Sequence, residues 1–226
     1  MKKTKAPCAL AAAALLLLPG VASASGSGSM PAPAQRQQAN PEQEAIELYN
    51  DGISYRDKAA QLDKEAAAES DARKKAKLEE KAQDRTESSA KKFAKATAKN
   101  PRLFQAWGSL GFAYRRMGKF PESLEAYNKA LEIEPGYTPA IEYRAETFLG
   151  LGRLDDVQSA YMILFRADRP RADELTAAID KWLQKKQADP GGLDPAAVET
   201  FAKWAAERKQ LASQTSSLLA PAHEGW

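Results

Sequence analysis

The chain is poor in the residues that make most chemical sites. It has one cysteine, Cys8, and one histidine, His223. A lone histidine without a cysteine or histidine partner leaves neither a metal set nor a Ser-His arrangement to build. A single cysteine excludes an internal disulfide and the paired cysteines of haem attachment. No glycine-rich phosphate loop occurs. No stretch alternates apolar and polar residues as a half-buried strand would. No apolar run is long enough to span a bilayer. These absences leave an all-helical chain without a catalytic constellation, and no cofactor or metal is implied.

Charge of one sign is also lacking once the first residues are set aside. The chain has 33 Lys and Arg against 30 Asp and Glu, a net of +3, and a pI of 8.8. Lys2, Lys3 and Lys5 supply that whole excess. They precede an apolar run from Ala9 to Leu18, a break at Pro19-Gly20, and the small residues Ala22-Ser23-Ala24. This pattern reads as a secretory signal peptide over residues 1–24, cleaved near Ala24. A retained N-terminal anchor is the alternative, and the short apolar core speaks against it. Cys8 lies before that core, where it cannot serve lipoprotein anchoring, and leaves with the signal. The form of the signal predicts a periplasmic (or secreted) protein. Without it the charges balance, so the excess that general nucleic-acid binding needs is missing.

Residues 25–40 are mostly Ser, Gly, Pro, Ala and Gln and read as a flexible leader. Asn40-Pro41 opens the helical part, with Asn as N-cap and Pro in the first turn. Within that part, Trp107, Leu110, Gly111 and Tyr114 are followed by Tyr127, Ala130 and Pro135. The stretch from Pro101 to Pro135 resembles one unit of the tetratricopeptide repeat, a 34-residue helix–turn–helix. The resemblance implies a solenoid of stacked helix pairs that binds other proteins and carries no chemistry of its own. Moving the unit forward by one period places Ile141, Ala145, Phe148 and Tyr161 at matching positions. Moving it back places Phe93 under Tyr127 and Pro101 under Pro135. The helix that should precede Phe93 is found further upstream, as Leu48, Gly52 and Tyr55.

About 25 residues are therefore inserted in the first pair. They are rich in Ala, Lys and Glu, strong helix formers. The expected result is an extended hairpin of two helices over about 42–99, breaking at Glu69-Ser70-Asp71 with Ser70 or Asp71 as the next N-cap. Ala59, Leu62, Ala66, Ala76, Leu78 and Ala82 would form its seam. A disordered charged insert is the competing reading, and the Ala content and mixed charge signs favour helix. The repeat-like solenoid covers 41–170. After Pro170 the period is read as lost, and residues 171–213 form capping helices. A frayed tail takes 214–226.

The resemblance further implies an inner groove lined by the first helix of each pair. Residues out of phase with the packing set should face it: Tyr49, Ile53 and Arg56, then Phe112, Arg115 and Arg116, then Glu142, Glu146 and Leu149. Such a surface suits an extended peptide or a helix from a protein partner, with arginine as anchor. The competing reading is that Arg115 and Arg116 keep a helix face soluble. Some members of the family clamp a chaperone's C-terminal carboxylate with Lys and Asn. The matching face here has Tyr49, Ile53, Ser109, Pro139 and Tyr143, so that partner is not implied. The alternative function is self-association through the Ala-rich hairpin, giving a homo-oligomer.

Overall fold

The structure is a computed structural model and describes residues 40–189 and 191–219. The expected signal peptide, nearly all of the leader, and His223 lie outside the described residues. Eight helices follow one another: α1 Pro41–Ala68, α2 Ala72–Lys99, α3 Phe104–Arg116, α4 Phe120–Ile133, α5 Thr138–Leu151, α6 Leu154–Ala167, α7 Arg169–Ala188 and α8 Pro195–Leu219. There is no strand among the described residues.

Local chemistry sets the helix ends. The Asn40 side chain accepts from the Glu42 amide at 3.1 Å, with Pro41 in the first turn. Asp71 accepts from the Lys74 amide at 2.9 Å and starts α2 after the break at Glu69 and Ser70. The α3–α4 and α5–α6 turns each carry a glycine in the left-handed region, Gly118 at φ 72° and Gly152 at φ 70°. A side chain there would be strained, so these two glycines keep the turns tight.

The helices pack as consecutive antiparallel pairs, α1 with α2, α3 with α4 and α5 with α6. The second helix of each pair also meets the first helix of the next. The architecture is an all-α solenoid of helical hairpins, its first pair lengthened and its C-terminal end covered by α7 and α8. One packing device recurs through it. The Tyr127 ring of α4 lies so close over Gly111 of α3 that an added Cβ would sit 2.8 Å from it. In the first pair the Phe93 ring lies over Gly52 in the same way, at 2.5 Å. In the third pair Ala145 and Tyr161 hold these positions and are both buried. Gly52 and Phe93 are thus the counterparts of Gly111 and Tyr127, brought together in spite of the intervening insertion.

The inserted residues continue α1 and α2 as one hairpin. Ala59, Ala66 and Ala82 are buried in its seam, and Leu62 and Leu78 are half-buried. Ala76 is exposed, contrary to expectation, and Thr86 and Ser89 fill the seam instead. Their hydroxyls donate to the carbonyls of Ala82 and Thr86 on their own helix, so these buried polar groups are satisfied. A seam of alanines buries little apolar area per residue. Replacing residues 61–81 with a short turn is therefore expected to leave a cooperatively folded protein whose helicity falls only by the residues removed. Circular dichroism with a thermal melt reads this, and loss of the cooperative transition would place the arm in the core.

Two expectations for the C-terminal part need correction. The repeat period does not end at Pro170. Leu175, Ile179 and Trp182 stand one period after Ile141, Ala145 and Phe148, and they pack into the same cluster. Helix α7 meets both α5 and α6, as the first helix of a further pair would. The period fails only at α8, where Phe201 and Trp204 stack on each other at 5.5 Å and Phe201 meets Trp182 edge-on. Helix α8 also runs to Leu219, past the end read at 213. No helix among the described residues is long and apolar enough to cross a membrane.

Candidate binding groove

The first helices of successive pairs lie side by side, α3 against α5 and α5 against α7. Three ion pairs cross between these first helices. Arg116 of α3 meets Asp63 of α1 at 2.7 Å. Arg115 of α3 meets Glu146 of α5 at 2.5 Å. Arg171 of α7 meets Glu142 of α5, and also Glu174 on its own helix at 3.3 Å. Arg115 and Glu146 are therefore bound to each other, while Arg56, Arg116 and Glu142 pair with residues outside the predicted set, so the arginines are not free anchors.

The individual residues divide accordingly. Tyr49 and Ile53 are both half-buried against the cluster around Phe93, Tyr49 meets that ring at 5.8 Å, and its hydroxyl also acts on Tyr137 beside the hollow. Glu142 is a correction, since it is only 2% exposed and faces Arg171 rather than solvent. Burial lifts its carboxyl to about 7, and the Arg171 guanidinium opposes that rise. Burial likewise raises Glu146, against the pull of Arg115. Arg116 is exposed and reaches to the lengthened part of α1. Arg56 is gripped by its neighbour Asp57 at 3.0 and 2.8 Å.

Phe112 and Arg115 of α3 both meet Tyr143 of α5. The Phe112 ring meets Tyr143 edge-on at 5.2 Å. The Arg115 guanidinium sits 5.3 Å from the Phe112 ring centre and 5.4 Å from that of Tyr143, within cation–π range. Between α3 and α5, Phe112 and Tyr143 border a hollow of about 160 Å³, with Arg56, Gly108, Ser109, Tyr137, Pro139 and Ala140 around it and Tyr127 also lining it, while Arg115 lines the neighbouring cleft. A wider, more open cleft of about 620 Å³ continues toward α7, lined by Glu146, Leu149, Lys181 and Trp182 among others. Burial raises the Tyr137 and Tyr143 hydroxyls above the ordinary phenol value. The hollow is thus a partly aromatic space, with Phe112, Tyr127, Tyr137 and Tyr143 in its lining, whose nearby charges are already paired.

Sequence reasoning missed Tyr137, Asp63 and Arg171. Asp63 was findable, because it lies seven residues after Arg56 and shares its helix face. Arg171 lies on α7, beyond the Pro170 limit that the sequence reading sets for the repeats. Ser123 was missed as a structural element: its hydroxyl donates to the Gly111 carbonyl at 2.8 Å and lies 3.1 Å from the Thr147 hydroxyl, tying α3, α4 and α5 together. Among the described residues no group of three His, Cys, Asp or Glu is placed to hold a metal ion.

Residues 104–137 match the family model of the tetratricopeptide repeat. No curated protein sequence matches the chain. Among solved structures the chain is similar to the TPR2B-domain:pHsp70 complex of yeast Sti1, at 13% identity and a TM-score of 0.39, covering 73% of this chain and 98% of that one. It is also similar to the MamA protein, at 21% identity and a TM-score of 0.30, covering 70% and 81% of the two chains. The family's repeats are non-enzymatic modules for protein–protein interaction. The matched unit coincides with α3, α4 and the turn after them. With the ring-over-small-residue packing repeated in the pairs on either side, the chain carries one tetratricopeptide repeat, over residues 104–137, within a solenoid of similarly packed helical hairpins.

Proposed function

We propose that this protein is an interaction scaffold of the cell envelope, exported by residues 1–24, which holds an extended peptide or a helix of a partner protein in the groove between α3 and α5. The observation that carries the reading is the aromatic hollow beside Phe112, whose walls are fixed by ion pairs between neighbouring helices. A wall fixed in advance loses little freedom on binding, so more of the contact energy remains as affinity. The self-association alternative has less support, because the alanine seam of the arm is already filled within the hairpin.

Photocrosslinking in the cell tests this from three positions: Ser109 in the groove, Glu125 on the outer helix face, and Lys74 on the arm. Capture of one and the same protein from Ser109, and not from Glu125, is the expected result. Capture from Lys74 alone would move the binding surface to the arm. Capture of a second copy of the chain, with a dimer in light scattering, would favour self-association. Fractionation of cells making the full chain checks the export step separately.

A further inference from the structure

Tyr127 carries a hydroxyl that its packing role does not need. Phe93 fills the same position in the first pair and lies over Gly52 with a bare ring. Tyr127 is fully buried, yet its hydroxyl has no hydrogen-bond partner. The ring passes from α4 over Gly111, and its hydroxyl feels Arg115, Glu146 and Tyr143, all groove residues of α3 and α5. Tyr127 also lines the hollow next to Phe112. A buried hydroxyl without a partner is costly, so its presence calls for an acceptor. The buried Nε of Arg115 faces the Tyr127 oxygen as a donor, so it is the hydroxyl's own proton that lacks an acceptor.

The surroundings narrow the acceptor. Arg56, Arg115 and Arg171 are each bound to a carboxylate of this chain, so the hollow offers no spare positive charge. An anionic group would have to lose its water without gaining a free cation, which disfavours it. The walls of Phe112, Tyr137 and Tyr143 suit a flat ring in edge-on contact. We propose that the hollow between α3 and α5 is a subsite for a tyrosine side chain of the bound partner, whose phenol oxygen accepts from the Tyr127 hydroxyl. This rests on the groove reading above and adds the kind of residue that the groove selects.

Three small probes test the subsite on the chain without its signal segment, apart from any partner: p-cresol, toluene and p-toluate, followed by NMR shifts of Gly108 and Ser109. The expected order is p-cresol first, bound about 3- to 10-fold more tightly than toluene, as one hydrogen bond allows, with p-toluate weaker than p-cresol. Tyr127→Phe should fold, since Phe93 serves the same role, and should reduce p-cresol to the level of toluene while leaving toluene unchanged. Equal binding of p-cresol and toluene, or a preference that survives Tyr127→Phe, would overturn the hydrogen bond. Tightest binding by p-toluate would replace the tyrosine with an acidic residue. No shift from any probe would remove the subsite, while the crosslinking from Ser109 would still decide the groove.

Discussion

Phe93→Ala is expected to destabilise the first helix pair by about 3–5 kcal/mol, the usual cost of removing a buried phenylalanine. Phe93 has no exposed surface and joins α2 to Leu110 and Ala113 of α3, besides lying over Gly52 of α1. One side chain therefore links three helices. Gly52→Val should cost about 1–3 kcal/mol for the opposite reason, because its side chain must enter space that the Phe93 ring occupies. The two effects should not add. With the ring gone, the valine has room, so the double variant should be little worse than Phe93→Ala alone. Urea unfolding of all four proteins measures this cycle. Additive costs would mean that the two residues do not meet, and the lengthened hairpin would then need another register. Because contacts in a solenoid run between neighbours, hydrogen exchange should show lost protection in α1 and α2 and little change in α5 to α7.

That register was legible in the sequence because it depends on a few spaced positions. A glycine, an aromatic residue one turn later, and a ring on the facing helix recur at Gly52, Tyr55 and Phe93 as at Gly111, Tyr114 and Tyr127. The cap at Asn40, and one at Ser70 or Asp71, were legible for the same reason, since a cap is a local event. The groove was less legible. A helical wheel states which way a residue points but not what stands opposite. Glu142 and Arg115 each meet a charge from the next helix, and the partner of Glu142 lies on α7. The orphan hydroxyl of Tyr127 was hidden further, because a ring in the packing phase looks the same with or without it. Helix α7 shows the reverse error. Its period was present in Leu175, Ile179 and Trp182, but its small-residue positions had diverged, so the repeat seemed to stop.

Arg171→Ala is expected to destabilise the protein strongly at pH 8 and weakly at pH 5. The reason lies in Glu142, which is nearly inaccessible and has Arg171 as its cation. Glu174 on α7 and Glu146 on its own helix both add negative charge around it. Burial holds the Glu142 carboxyl at about 7 in the folded chain, above its ordinary 4.5. Between these values the folded state keeps a proton that the unfolded state releases. Stability from this group is therefore full below about pH 4.5 and is lost as pH rises through 7. In the unaltered protein the loss should be about 1–2 kcal/mol, after allowing for the solvent that reaches Arg171. Without Arg171, Glu142 must at pH 8 either carry an unpaired buried charge or take up a proton against the medium, and about 3–5 kcal/mol is the usual cost of breaking such a pair. At pH 5 the carboxyl is already neutral, and what remains is the lost packing of the arginine stem, about 1 kcal/mol. Glu142→Gln added to Arg171→Ala should remove most of the difference between the two pH values, because an amide cannot ionise. Urea unfolding at pH 5 and pH 8 reads all of these quantities. A cost of Arg171→Ala that is the same at both values would show that Glu142 is not the group the arginine neutralises, and that α7 is held to α5 by Leu175 and Ile179 alone.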